Sequence, residues 1–139
     1  MSRSVTMAAL LAAFLFCVSA ADKTIKRVPA NPTSPISGQQ MFNEYCIACH
    51  GKLAKGDGPA ATALKKTPAD LTTLSARNSG KFPELRIYST IQGDADLAAH
   101  GSRDMPVWGS VFQDMSHSNG EVQMRISNLV AYVKTLQVK

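Results

Sequence analysis

The sequence predicts an all-α fold. Three stretches place apolar residues at the three- and four-residue spacing of a helix that buries one face, and none shows the alternating pattern of a convincing β-strand. Two of the three begin with a serine that is followed three positions later by glutamine or glutamate, the capping-box pattern of a helix N-terminus. The chain of 139 residues, 45% of them hydrophobic, is long enough for one domain with a buried core.

The first 20 residues have the order of regions of a secretory signal peptide. Arg3 precedes an apolar run from Met7 to Val18, and small residues follow it. Because this run is shorter than the roughly 20 residues that cross a bilayer, we expect cleavage after Ala20, with retention as a membrane anchor as the alternative. Residues 21–36 have three prolines at every third position and predict an extended arm, which leads into a domain of residues 37–139.

The first predicted helix covers the stretch SGQQMFNEYCIACHG. Ser37 is its expected N-cap, and Gln40 is the capping-box partner. Met41 and Tyr45 supply apolar residues at helical spacing, and Gly51 is expected to end the helix.

The middle of the chain is predicted to be loop around one further helix. Glycines and prolines interrupt residues 51–74, in which AATAL is expected to form a single helical turn. The stretch SGKFPELRIYSTIQG predicts a helix with Pro83 in its first turn and Gly93 at its end, and its apolar residues spaced by three are Leu85, Tyr88 and Ile91. Residues 94–112 are predicted to be irregular.

The C-terminal stretch SNGEVQMRISNLVAYVKTLQ is the clearest helical pattern. Ser118 and Glu121 form its expected capping box. Its apolar residues share one face, which predicts that this face packs on the core: Val122, Ile126, Leu129, Val130, Val133 and Leu136.

The stretch CIACHG carries the chemistry. Residues three and four positions apart share a helix face, so Cys46, Cys49 and His50 are expected to point the same way. Two thiols can then add to the two vinyl groups of one porphyrin as thioethers while the imidazole reaches the iron, which is the pattern of covalent haem c attachment. In bacteria this link is assembled outside the cytoplasm, and the predicted export signal agrees with that.

Other uses of the two cysteines fit the sequence less well. A thioredoxin-like dithiol would need a preceding β-strand. A zinc site would need a fourth ligand from His100 or His117, whose spacing matches no zinc pattern. A disulfide across so short a loop would add little stability.

Residues from about Ser37 to the C-terminus resemble a class I, monohaem cytochrome c domain. The matching pieces come in order: a helix ending in CIACHG, the loop GDGP, the segment PADL, a short middle helix, MPVWG, and the C-terminal helix LVAYVKTL. The resemblance covers about three-quarters of the chain. It implies three to five helices wrapped around one covalently bound haem c.

Such a haem needs a second iron ligand from the face opposite His50. Met105 is the expected ligand, because it lies in a loop before a proline and because DMPVWG resembles the distal-ligand loop of the family. Met115 and His100 are the alternatives. Met41 lies on the same helix as His50, and Met124 is expected to pack within the last helix.

The resemblance also suggests residues around the haem. In the family a proline carbonyl accepts a hydrogen bond from the proximal histidine, and Pro59 of GDGP is the expected match. Leu71 and Ile87 are expected to pack on the ring. Trp108 is expected either to donate its N–H to a haem propionate or to shield the ring edge.

The implied function is that of a periplasmic single-electron carrier, not an enzyme, that acts as a monomer without a small-molecule substrate. Its partners would be periplasmic or membrane-bound dehydrogenases, reductases or oxidases. One alternative is a peroxidase or gas sensor with a displaceable Met105. Another is a dedicated electron-transfer subunit of a larger dehydrogenase or oxidase.

The charge of the chain bears on its partners. The formal net charge is +5, but the basic residues are scattered, which argues against nucleic-acid binding. Four lysines in the loops after the attachment motif either steer docking onto an acidic partner or form a solvated face: Lys52, Lys55, Lys65 and Lys66.

Overall fold

The computed structural model of the chain describes residues 29–93 and 105–138. Over these residues it contains helices and turns and no β-strand, which confirms the all-α prediction. The α-helices are α1 (Gly38–Met41), α2 (Ile47–His50), α3 (Glu84–Gln92), α4 (Trp108–Met115) and α5 (Asn119–Thr135). Short 3-10 turns cover Ala61–Ala63, Leu71–Thr73 and Ala76–Asn78. The first of them is the turn predicted at AATAL.

A π-helical turn, Phe42–Cys46, joins α1 to α2, so residues 38–50 form one continuous helical stretch, called here the attachment helix. Ser37 caps its start as predicted, since its side chain accepts a hydrogen bond from the Gln40 backbone N–H at 3.2 Å. The Gln40 side chain instead accepts from the Ser34 backbone N–H at 3.1 Å. Gly51 ends the stretch with φ of 77°, a left-handed conformation that glycine adopts without strain.

The core lies where the attachment helix crosses α5. A Cβ atom on Gly38 would overlap the backbone oxygen of Asn128, so only glycine allows the two helices to approach this closely. One turn further on, the rings of Phe42 and Tyr132 pack with their centroids 5.4 Å apart. The largest fully buried side chains surround this crossing: Met41, Phe42, Phe112, Ile126, Leu129 and Val130.

Helix α3 runs between the expected signals, after Pro83 and up to Gly93. The prediction that Leu85 is one of its buried positions is wrong, because Leu85 is 85% exposed. The other two residues of that spacing, Tyr88 and Ile91, do pack on the core together with Ile87, so that Leu85 falls on the solvent side.

The prediction that residues 94–112 are irregular is wrong from Trp108 onward, where α4 begins. Gly109 disguises this helix in the sequence, because glycine has a low helix propensity. Tertiary packing explains the glycine, since a Cβ at Gly109 would lie 2.5 Å from the carbonyl oxygen of Gln92 at the end of α3. Residues 94–104 lie outside the described residues.

Helix α5 confirms the predicted Ser118 cap and the apolar face, and it also holds the N-terminal arm. The Glu121 carboxylate accepts from the His117 backbone N–H at 3.2 Å rather than from that of Ser118. Arg125 is only 4% exposed, and its guanidinium donates to the carbonyl oxygen of Thr33 at 2.9 Å. Asn128 donates to the carbonyl oxygen of Pro35 at 3.0 Å. The described end of the arm is therefore docked on the domain rather than solvated. The predicted boundary at residue 37 stays a prediction.

The predicted signal peptide, residues 1–20, lies outside the described residues. None of the helices within residues 29–93 and 105–138 combines the length and the apolar composition of a membrane-spanning segment.

We expect acid to weaken the fold through Glu121. Hydrogen bonds from the His117 backbone N–H and from the Arg125 side chain hold the pKa of the Glu121 carboxyl below its ordinary value of 4.5. The native state therefore binds this proton less readily than the unfolded state does. The contribution of Glu121 to the free energy of unfolding is complete above pH 4.5 and is lost as the pH falls through the folded pKa.

Denaturant unfolding of the holoprotein over a pH series measures this loss. In Glu121→Gln the free energy of unfolding should fall less steeply below pH 4.5 than in the wild type. Glu84→Gln is the control, because Glu84 pairs with Lys134 at a site where both side chains are more than half exposed. Equal acid slopes in the wild type and Glu121→Gln would contradict the prediction.

Candidate functional site

The attachment helix brings the three motif side chains to one side. Cys46, Cys49 and His50 all line a cavity of about 300 Å³, called here the Trp108 cavity because Trp108 also lines it. Cys46 and His50 also line a neighbouring cavity of about 280 Å³, called the Leu71 cavity because Leu71 lines it. The two thiols and the imidazole are thus available to one ligand.

The two cysteines are reduced, and Cys46 is buried. Burial raises the pKa of the Cys46 thiol to about 12, with a further contribution from Cys49. Among residues 29–93 and 105–138, no three His, Cys, Asp or Glu side chains converge as a metal site does. The dithiol and zinc interpretations therefore gain no support from the geometry.

His50 is held by a hydrogen bond to the loop that contains Ala69. Its Nδ1 donates to the carbonyl oxygen of Ala69 at 3.0 Å, which leaves Nε2 as the nitrogen with a lone pair. Burial lowers the pKa of His50, while the bond to Ala69 acts in the opposite direction. A neutral imidazole with a fixed tautomer is the form that ligates a metal.

The prediction that Pro59 supplies this carbonyl is wrong. Gly58 packs against the outer side of the attachment helix, where its N–H donates to the carbonyl oxygen of Cys49 at 3.0 Å, and this contact leaves Pro59 exposed. Ala69 reaches His50 because Gly56 has no side chain, which lets the carbonyl oxygen of Pro68 lie against its backbone. A Cβ at Gly56 would overlap that oxygen. The Leu71 N–H also donates to the Ala54 carbonyl oxygen at 2.8 Å.

Of the methionines within residues 29–93 and 105–138, Met105 alone lines both cavities, together with His50. Met115 is occupied elsewhere, since its sulfur lies 3.6 Å from the Tyr45 hydroxyl. Met41 is fully buried in the core, and Met124 is 39% exposed on α5. The other two histidines of the chain are not among the described residues that line the cavities: His117 is exposed, and His100 lies outside the described residues.

The two cavities together fit a large, mostly apolar ligand. They share Cys46, His50 and Met105, and each lies near the lower limit of the roughly 300–1,000 Å³ that ligand pockets occupy, so that together they fall within this range. Leu71 and Ile87, the two residues expected to pack on a haem ring, line the Leu71 cavity. The donors and the walls therefore suit a haem.

Sequence reasoning missed the polar edge of the Leu71 cavity. Arg77, Asn78 and Arg86 line the cavity there. The Arg77 guanidinium also donates to the carbonyl oxygen of Asp70, and the Asn78 amide donates to that of Lys81 at 2.7 Å. A haem carries two propionate carboxylates, and guanidinium groups are the usual partners of carboxylates. Nothing in the sequence distinguishes these two arginines from others, because the 3-10 turn Ala76–Asn78 and the start of α3 bring them together only in the fold.

Trp108 lies in an aromatic cluster. Its ring centroid is 5.2 Å from that of Tyr45 and 5.9 Å from that of Phe112. It lines the Trp108 cavity, away from the arginines of the other cavity. This position suits shielding of a ring edge better than a hydrogen bond to a propionate beside those arginines.

Two of the four lysines line different cavities. Lys66 lines the Trp108 cavity beside Thr67 and Pro68. Lys52 lines a shallow depression on the outer side of the attachment helix, next to Pro59. All four side chains are exposed.

The family model described as "Cytochrome C oxidase, cbb3-type, subunit III" matches residues 33–118, which is more than half of the chain. The match includes the attachment motif, Ala69, Met105 and the docked end of the N-terminal arm. No curated protein and no solved structure matches the chain.

Proposed function

The chain belongs to the family of the cbb3-type cytochrome c oxidase subunit III, and from this membership we propose that it is an exported single-electron carrier with one covalent haem c. Cys46 and Cys49 would hold the haem, and His50 and Met105 would ligate its iron. The observation that carries the proposal is the position of Met105, which shares both cavities with His50 although 55 positions separate them in the sequence.

The residues of the chain would set the properties of this site. The bound iron supplies a one-electron couple between its ferric and ferrous states. His50 would be oriented through its bond to Ala69. The soft thioether of Met105 favours ferrous iron and raises the reduction potential relative to a second histidine. If His50 and Met105 both ligated the iron, it would have no position open for peroxide or oxygen, which favours electron transfer over catalysis.

The edge of the site suits contact with a redox partner. Cys49, Lys66 and Pro106 line the Trp108 cavity, and both Lys66 and Pro106 are exposed. Electrons would pass through this edge to an acidic surface of a partner protein. The signal-like first 20 residues and the haem attachment motif together favour the periplasm, where we propose that the carrier acts as a monomer.

A second candidate is a permanent subunit of a terminal oxidase. The description of the family favours it, because the name is that of an oxidase subunit. The haem site would be the same in both cases. Purification from membranes and from the soluble periplasmic fraction separates them: a subunit elutes with an oxidase at fixed stoichiometry in mild detergent, whereas a carrier is recovered alone.

Optical spectra of the purified holoprotein test the proposal. We expect a low-spin haem in both oxidation states, a far-red sulfur-to-iron band in the ferric protein, and no response of the ferrous protein to carbon monoxide. A high-spin ferric haem or ready binding of carbon monoxide would refute the carrier proposal and favour a peroxidase or gas sensor. Iron and haem content per chain would show whether one haem is bound.

A further inference from the structure

We infer that the Tyr45 hydroxyl and residues 31–33 of the N-terminal arm form a brace that positions Trp108 and, through it, the segment that carries Met105. The inference rests on the proposed function, in which Met105 ligates the iron. It gives the N-terminal arm a role in positioning the haem site.

The brace begins with a chain of hydrogen bonds. Arg125 donates to the Thr33 hydroxyl at 3.3 Å, and the Thr33 hydroxyl lies 2.9 Å from the Tyr45 hydroxyl. Tyr45 donates in turn to the carbonyl oxygen of Asn31 at 2.6 Å. Because a phenol has one hydrogen, this arrangement uses the Thr33 proton toward Tyr45 and the Tyr45 proton toward Asn31. The phenol oxygen is therefore fixed by the arm.

The other end of the Tyr45 side chain touches the site. Its ring packs on Trp108 with centroids 5.2 Å apart and on Phe112 with centroids 5.8 Å apart. Tyr45, Trp108 and Met105 all line the Trp108 cavity. Trp108 starts α4 only three residues after Met105, so a shift of Trp108 is transmitted to the ligand through Pro106 and Val107.

The opposite side of the same segment is held by the end of α3. Val107 packs so tightly on Gly93 that a Cβ there would overlap its side chain. The Ser110 hydroxyl donates to the Val107 carbonyl oxygen at 2.9 Å. The segment 105–108 is thus clamped between α3 and the Tyr45 ring, and the arm fixes the Tyr45 ring in place.

Loss of the brace should let Met105 leave the iron more often. Tyr45→Phe keeps the ring and removes the hydroxyl that binds the arm. Imidazole added to the ferric holoprotein competes for the position of Met105, and its apparent affinity is proportional to the fraction of molecules in which that ligand is displaced. We expect Tyr45→Phe to bind imidazole about 2- to 10-fold more tightly than the wild type, the change that one ordinary hydrogen bond gives.

Two further variants make the test specific. Thr33→Val removes the neighbouring hydroxyl, should tighten imidazole binding in the same direction, and should add little to Tyr45→Phe, because both act on one network. Tyr132→Phe is the matched control, since its ring packs on Phe42 rather than on Trp108. Imidazole binding that is equal in Tyr45→Phe and Tyr132→Phe would overturn the inference.

Trp108 provides a second readout that does not need Met105 as ligand. It is the only tryptophan of the chain, and a nearby haem quenches its emission. Tyr45→Phe should raise the emission, and Tyr132→Phe should not. A wild-type protein without the far-red band would refute Met105 ligation as part of the proposed function. The emission of Trp108 would then decide by itself whether the brace exists, and unchanged emission in Tyr45→Phe would overturn it.

Discussion

Met105→Ala is expected to turn a closed, low-spin haem into one with an open coordination position. Alanine cannot reach the iron, and Met105 is the methionine that the cavities share with His50. The ferric spectrum should lose the far-red sulfur-to-iron band and gain high-spin character, and the ferrous protein should bind carbon monoxide. The reduction potential should fall by on the order of 0.1 V or more, within the roughly 0.8 V range over which axial ligands shift haem potentials.

Two other methionine variants serve as controls. Met124 is 39% exposed on α5, so Met124→Ala should leave the spectra and the potential unchanged. Met115 contacts the Tyr45 hydroxyl, so Met115→Ala should keep the far-red band and at most weaken the brace. A far-red band that persists in Met105→Ala and disappears in Met115→Ala would transfer the ligand role to Met115. Spectra and redox titration of the three holoproteins decide between these outcomes.

The features that the sequence predicted well depend on residues close together in the chain. Ser37 and Ser118 cap helices because a hydroxyl needs only the backbone N–H three residues away. Gly51 and Gly93 end helices because their positive φ angles are a local property of glycine. The face of α5 was predictable for the same reason, since one period of 3.6 residues determines it.

The features that the sequence did not reveal depend on contacts between distant segments. Helix α4 contains a glycine that argues against a helix until the close approach of Gln92 is known. An arginine beside the apolar face of a helix is ordinarily expected to be solvated. Arg125 instead binds the carbonyl oxygen of Thr33, 92 positions away in the arm. Leu85 fits the periodicity of α3 but falls on the wrong side of the row that packs.

The partner of His50 shows both limits at one site. The family resemblance implied that a proline carbonyl after the attachment motif would accept from the imidazole, and in the structure the carbonyl that does so belongs to Ala69. The sequence could not show which loop returns to the helix. Gly56 makes that choice, because the absence of a side chain lets Pro68 lie against its backbone and brings Ala69 to the imidazole.

Gly38→Ala is expected to destabilise the holoprotein although alanine is the better helix former. The substitution should add up to about 1 kcal/mol of helix propensity in α1. The new Cβ would overlap the Asn128 backbone oxygen and lie 2.8 Å from the Tyr132 Cβ, and neither atom can rotate away. The attachment helix must then move off α5, which loosens the packing of Met41 and Phe42. Overpacking of this kind costs about 1–3 kcal/mol or more, so the clash outweighs the propensity.

Thermal unfolding of the holoprotein measures the balance. A net loss of about 1–2 kcal/mol lowers the Tm of a domain of this size by roughly 4–15 °C. Gly120→Ala is the matched control: it lies near the start of α5, and its Cβ would have only the Ser118 hydroxyl near it, at 3.8 Å. That variant should raise the Tm slightly, because propensity acts there without a clash. If Gly38→Ala also raised the Tm, the two helices could not be in the close contact that places Cys46 and His50 beside the core.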